Sequence, residues 1–176
     1  ELFCSKFGLP ADHPLIRFLK FQERLSCRFA DHVVCVHEPH RALLEKRGAV
    51  KNAAVSVLMN LPDPTVFGAE QQPAVSEKSD GPRLVYHGTV ARRLGLDLAL
   101  HAFVKVLELY TSARFDIYGT GDAGDDVQAT VAELGLEEQV GFANAAFRLD
   151  EVPQLLEGAT LGVVPNRRDA ATEMML

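Results

Sequence analysis

Two arginines, Arg92 and Arg93, stand between two glycines, Gly88 and Gly95, just after the apolar run Leu84-Val85-Tyr86. A glycine at the end of a strand lets a ligand approach the backbone closely, and arginine donates charge-assisted hydrogen bonds to phosphate oxygens. Gly88-Thr89 followed by Arg92-Arg93 therefore suits a pyrophosphate. A solvated turn with ordinary surface arginines accounts for the same residues, because helix starts beside glycines favour anions in general.

Three further groups could join such a site. Gly119-Thr120-Gly121 carries two of the three glycines of a dinucleotide fingerprint, but Asp122 follows and would repel a pyrophosphate, so a tight strand-to-helix turn is the plainer reading. Asn166, Arg167, Arg168, Asp169 and Glu173 form a polar cluster from which Glu173 could reach a ligand hydroxyl, although charge runs are usually solvated loops. Phe142 and Phe147 could flank a nucleobase or simply pack, while Phe21, Phe29, Phe103 and Phe115 read as core. The six histidines have no metal-ligand spacing, nor do Cys4, Cys27 and Cys35. No nucleophile elbow and no Walker-type loop occurs.

The elements that must position these residues alternate. Leu15, Phe18, Leu19, Gln22, Leu25 and Phe29 follow helical spacing, and Val33-Val34-Cys35-Val36 reads as a buried strand. A helix from Glu38-Pro39 to about Gly48 and a strand at Val55–Met59 complete a first part. Residues 60–82 hold Pro62, Pro64, Pro73 and Pro82 with no usable periodicity, which predicts a linker. Beyond it come a strand at Leu84–His87, a helix carrying Leu96, Ala99, Leu100, Phe103 and Leu107, and a strand at Phe115–Tyr118. A helix through Val127 and Val131, a short strand at Val140–Phe142, a helix capped by Asp150 and a buried strand at Thr160–Pro165 follow. Strand–helix alternation requires crossovers, hence an α/β fold with parallel sheets, whose ligands bind beyond the carboxyl ends of the strands.

Composition narrows the class. The chain of 176 residues is 47% hydrophobic and carries a formal charge of −6, which argues against a general nucleic-acid binder. An odd number of cysteines fits a reducing, cytoplasmic setting. No apolar run reaches the length of a membrane span, and no signal segment opens the chain. It starts on Glu1 and stops at Leu176 without turn or cap residues, as expected for a piece of a longer protein.

Four passages in their order resemble the retaining nucleotide-sugar glycosyltransferases of family 4, which have the GT-B fold. They are Ala30-Asp31-His32-Val33-Val34-Cys35-Val36, then Val57-Leu58-Met59-Asn60-Leu61-Pro62-Asp63, then Tyr86-His87-Gly88-Thr89 through Asp97, and Ile117-Tyr118-Gly119-Thr120-Gly121-Asp122 through Phe142. The resemblance implies two Rossmann-like parallel-sheet domains, both incomplete here. Residues 1–60 would end the acceptor-side domain, 61–82 would be the linker, and 83–176 would begin the donor-nucleotide domain. It implies transfer of a sugar from a nucleotide-diphosphate donor to a hydroxyl of a glycan, lipid-linked or small-molecule acceptor. Retention of configuration, no cofactor or metal, and room for peripheral membrane association are implied with it.

In that family an arginine and a lysine near the first loop neutralise the diphosphate; Thr89 and Leu94 stand at their places here. Arg93, with Arg92 as second choice, takes the phosphate role instead, as in a subgroup reading "H-G-T" and then "R-x-G". Gly88, Thr89, Gly119, Phe147, Asn166 and Glu173 are the remaining implied contacts to the nucleotide sugar, with Glu173 beside Arg93 in the catalytic set. Met174 stands near the place of the first of the family's paired glutamates, which makes Glu173 its substitute. A non-catalytic partner subunit of this fold and a nucleotide-sugar epimerase are the competing readings.

Overall fold

The computed structural model describes residue 4 and residues 7–50, 54–68 and 81–168. They form two compact units, Glu1–Leu61 with Arg168–Leu176, and Pro62–Arg167.

The first unit holds α1 (Pro14–Phe29), β1 (His32–Cys35), α2 (Glu38–Lys46) and β2 (Ala54–Val57). β1 and β2 are parallel, with His32 opposite Ala54 and Cys35 opposite Val57. Both helices begin with the same device, a histidine just outside and a proline in the first turn. His13 Nδ1 accepts the Leu15 amide (3.2 Å) and His37 Nδ1 the His40 amide (3.1 Å). Proline is tolerated there because its missing N–H would have no helical partner. Arg47, just past α2, donates to both carboxylate oxygens of Glu23 on α1 at 2.9 and 3.0 Å.

The core of this unit is small: Cys35, Leu44 and Ala49, with Cys27, Val33, Val50, Val55 and Val57 packed around them. Ile16 is the buried residue of α1. Phe21 and Phe29, expected in a core, lie outside it, as do Phe18 and Leu25; Phe29 is 92% exposed. The reason is width. Among the described residues this sheet has two strands about 4.8 Å apart, narrower than a helix about 10 Å across, so they cover one side of it at most. Likewise Val34 and Val36 are exposed, and the expected buried strand is buried only at Cys35. β2 ends at Val57, and Leu58 and Met59 are exposed.

The second unit opens with a helix inside the stretch expected to be irregular. This is α3 (Pro64–Phe67), where Asp63 Oδ1 accepts from the Thr65 amide (2.9 Å) and hydroxyl (2.7 Å). Residues 69–80 of that stretch lie outside the described residues. Then come β3 (Arg83–His87), a 3-10 turn at Arg92–Leu94, α4 (Leu96–Leu109), β4 (Arg114–Tyr118) and α5 (Gly124–Glu133). β5 (Val140–Ala143), a 3-10 turn at Leu149–Glu151, α6 (Val152–Leu156) and β6 (Leu161–Gly162) complete it.

The sheet order is β5-β4-β3-β6, with every pair parallel. The chain moves outward from β3 to β5 and then returns to the far side of β3. Loops leave such a reversal in opposite directions and open a crevice at the carboxyl ends of the strands.

Phe103, Phe115, Leu100, Ile117, Val85 and Val90 are fully buried, and the rings of Phe103 and Phe115 meet at 5.5 Å. Phe103 and Phe115 are thus core, as their sequence positions indicate. Arg83 ties the sheet to the end of α6: Nε donates to Asp116 (2.6 Å), and Nη2 donates to the Tyr118 hydroxyl (3.1 Å) and the Leu155 carbonyl (3.1 Å).

Two expectations need correction here. The buried strand at Thr160–Pro165 is a two-residue edge strand with Leu161 and Val164 exposed, because among the described residues it pairs only with β3. Asp150 does not cap α6; it lies within the preceding 3-10 turn and binds Arg148 (3.0 Å). The Arg148 amide there donates to Glu151 Oε2 at 2.7 Å. The architecture is α/β with two small parallel sheets. No helix among the described residues is long and apolar enough to cross a membrane.

Candidate functional site

β3 and β4 end on glycine loops that continue side by side. Gly88 N–H donates to the Tyr118 carbonyl (3.0 Å), Val90 N–H to the Thr120 carbonyl (3.0 Å) and Ala123 N–H to the Val90 carbonyl (3.2 Å). A Cβ on Gly119 would overlap the Gly88 carbonyl, and one on Gly121 would overlap that of Val90. Gly119, at φ +146°, also holds a backbone conformation that side chains disfavour. The Gly119–Gly121 pair is therefore a tight turn whose glycines serve backbone packing.

Tyr86 fixes the shape of the first loop. Its buried hydroxyl donates to the Thr89 carbonyl at 2.6 Å. Gly88 and Val90 spend their amides on β4's loop, while the Thr89 N–H has no partner among the described residues. Thr89 itself is exposed at the carboxyl end of β3.

The two arginines behave differently. Arg92 reaches to the first turn of α5, where Nε and Nη2 donate to the two carboxylate oxygens of Asp126 at 2.7 and 3.1 Å. That hydrogen bond is the main reason the Asp126 carboxyl is held below its ordinary value. Arg92, expected as a second phosphate ligand, is thus committed to an ion pair. Arg93 is half-buried, and its guanidinium has no hydrogen-bond or ion-pair partner among the described residues. Its charge is felt at Tyr86: burial pushes that phenol up, and Arg93 pulls it the other way.

The segment after β6 lies on the same turn. A Cβ on Gly95 (φ +70°) would overlap the Pro165 carbonyl. The Arg167 amide donates to the Arg93 carbonyl (3.2 Å) and Arg167 Nε to the Arg92 carbonyl (3.1 Å), while its guanidinium pairs with Asp97. Asn166, half-buried, sits between these two attachments. A cavity of about 400 Å3 opens beside the loop, with Val90, Leu96 and Val127 among its apolar walls and the Arg92–Asp126 and Arg167–Asp97 pairs at its polar ones.

Gly88, Thr89, Arg93, Gly119 and the Asn166 segment are thereby brought to the carboxyl ends of β3, β4 and β6. Phe147 is half-buried, its ring edge-on to Tyr118 at 5.6 Å, one residue before Gly119. Phe142 packs against the main core. Glu173 and Met174 lie outside the described residues. Among the described residues no group of three or more His, Cys, Asp or Glu side chains could hold a metal ion.

Tyr86, Asp97 and Asp126 shape the site without having been singled out for it in the sequence. The available signal was an aspartate in the first turn of each of the two helices that follow the glycine loops.

Solved structures share this fold. Sucrose-phosphate synthase from Thermosynechococcus elongatus superposes with a TM-score of 0.70 at 18% identity, over 99% of this chain and 46% of that one. Anabaena Alr3699/HepE, in complex with UDP and glucose, gives 0.60 at 16% identity, over 81% and 41%. A mutant of S. aureus TarM, in a complex that includes UDP, gives 0.64 at 16% identity, over 80% and 26%. The chain thus spans less than half the length of each. What the likeness shows is a shared fold. No curated protein matches the chain. The family model described as "Glycosyl transferases group 1" matches residues 81–176, more than half of the sequence and the whole of the loop system around Arg93. On that match the chain belongs to the group 1 glycosyl transferases.

Proposed function

We propose that this chain forms the donor-phosphate end of a glycosyltransferase that moves a sugar from a nucleotide-diphosphate donor to a hydroxyl acceptor with retention. Residues 83–176 then begin the nucleotide-binding domain, residues 1–60 end the acceptor-side domain, and 61–82 join them. The observation that carries this reading is Arg93: a guanidinium without a hydrogen-bond or ion-pair partner among the described residues, on the same loop as the Thr89 amide, likewise without a partner among them, where the strand order of a parallel sheet reverses. In the reaction the bond between the sugar's anomeric carbon and the diphosphate oxygen breaks, negative charge grows on the departing phosphate, the acceptor hydroxyl oxygen bonds to the anomeric carbon, and its proton leaves with the diphosphate. Arg93 and the Thr89 N–H would be the donors for that charge, the Thr89 loop being braced by the Tyr86 hydroxyl and the bonds to the neighbouring loop, an arrangement that favours electrostatic stabilisation. Phe147 is assigned to the nucleobase side, and Asn166 and Glu173 to the sugar.

The test uses the whole protein. Titration with UDP, GDP and ADP is expected to show binding to one of them, weakened about tenfold or more in Arg93→Ala. Product from the matching nucleotide sugar is expected to keep the donor's anomeric configuration by NMR. Failure of all three nucleotides to bind the wild-type protein overturns the proposal.

A further inference from the structure

We infer that Arg167 is the positioning residue that aims Arg93 at the donor phosphate, an inference that rests on the function proposed above. Arg93 sits in the middle of a three-residue 3-10 turn whose own backbone bonds are only Leu94 N–H to the Ala91 carbonyl (2.9 Å) and Gly95 N–H to the Arg92 carbonyl (3.2 Å). So short a turn is weakly self-supporting.

The direction of the Arg93 side chain depends on the two peptide planes that flank its Cα. Arg167 holds both. Its Nε donates to the Arg92 carbonyl, the plane before Arg93, and its own amide donates to the Arg93 carbonyl, the plane after. The rest of its guanidinium is anchored on Asp97 in the first turn of α4, and the Pro165 carbonyl fills the space that a side chain at Gly95 would need. The planar fork of arginine serves the carbonyl and the carboxylate together, which the single ammonium of lysine cannot do in the same geometry. Because Arg167 follows β6 and Arg93 follows β3, the clamp spans the strand reversal and ties the Asn166 segment to the phosphate loop.

A double-mutant cycle on the whole protein tests this, read as donor KM and kcat with nucleotide sugar and as nucleoside diphosphate affinity. Arg167→Ala is expected to weaken donor binding about tenfold, since small misplacements of a binding group carry costs of that order. In an Arg93→Ala background the same change is expected to add less than about twofold, because a residue acting through Arg93 has nothing left to aim. Arg167→Lys, which keeps the charge opposite Asp97, is expected to recover only part of the loss, and it serves in the cycle if Arg167→Ala does not fold. An Arg167 effect of equal size in both backgrounds, or no effect in either, overturns the inference while leaving the donor site standing. An Arg93→Ala protein with unchanged donor binding overturns the donor role of Arg93 and this inference together.

Discussion

The sheet of β1 and β2 and the sheet of β3 to β6 are built from the same parallel pairing and similar apolar runs, yet they bury very different amounts. α1 and α4 make the contrast plain. Both are amphipathic and of similar length, but α4 buries Leu96, Ala99, Leu100 and Phe103, whereas α1 buries Ile16 alone. Phe115 on β4 has neighbouring strands on both sides and is fully buried, while Val34 on β1 is 60% exposed. Burial here follows the number of strands beneath a helix, and residue type only makes it available.

The sharpest way to break that comparison is to truncate one phenylalanine in each region. Phe115→Ala is expected to destabilise the chain by about 3–5 kcal/mol in urea unfolding, and Phe29→Ala by less than about 0.5 kcal/mol. Equal losses would mean that α1 is covered in solution as well as α4 is. A second contrast separates the adjacent arginines. Under the proposed function, loss of Arg93 is expected to cost about 1.5–3 kcal/mol of nucleoside diphosphate binding, a charge-assisted hydrogen bond, whereas Arg92→Ala should cost less than about 0.5 kcal/mol. Isothermal titration reads both, and comparable losses would return Arg92 to the phosphate site.

A third contrast concerns glycines. Gly119→Ala meets the Gly88 carbonyl at a disfavoured φ and is expected to lower stability by about 1–3 kcal/mol. Gly162→Ala on the edge strand has nothing within 4 Å and should be near neutral, both variants being read by urea unfolding. The smallest effect is electrostatic. Asp126 has its folded-state carboxyl pKa depressed by Arg92, so the pair's contribution is present above the ordinary value of 3.8 and is lost as pH falls through the lower folded value. A carbon NMR titration should show the Asp126 carboxyl returning toward that ordinary value in Arg92→Ala.

Much of the fold is legible in the sequence because two periods dominate it. The alternation from Leu84 to Val140 has a strand, a helix face or a glycine turn at every step, and the structure follows it closely. The exposure of Phe29 and the edge position of Leu161 are not legible, since a sequence shows which residues are apolar and not what lies against them. The same limit governs the site. Gly88 reads as a close backbone approach and Gly119 as a tight strand-to-helix turn, because glycine alone brings no side chain to such places. Arg92 and Arg93 are ranked in the sequence only by the family resemblance; what separates them physically is Asp126, 34 positions from Arg92 and brought near by the start of α5. Tyr86 reads as one more apolar strand residue until the loop curls back and its hydroxyl meets the Thr89 carbonyl.

The amide bonds that run on past the ends of β3 and β4 have a consequence for how an anion would be received. They make the two loops, in effect, further rungs of the sheet, cross-braced by Gly88, Val90 and Ala123 and propped from beneath by Tyr86. The entropy of ordering that backbone is settled when the chain folds, so under the proposed function a phosphate at Thr89 would meet a seat already set and would keep the binding energy that a floppy loop would consume in closing.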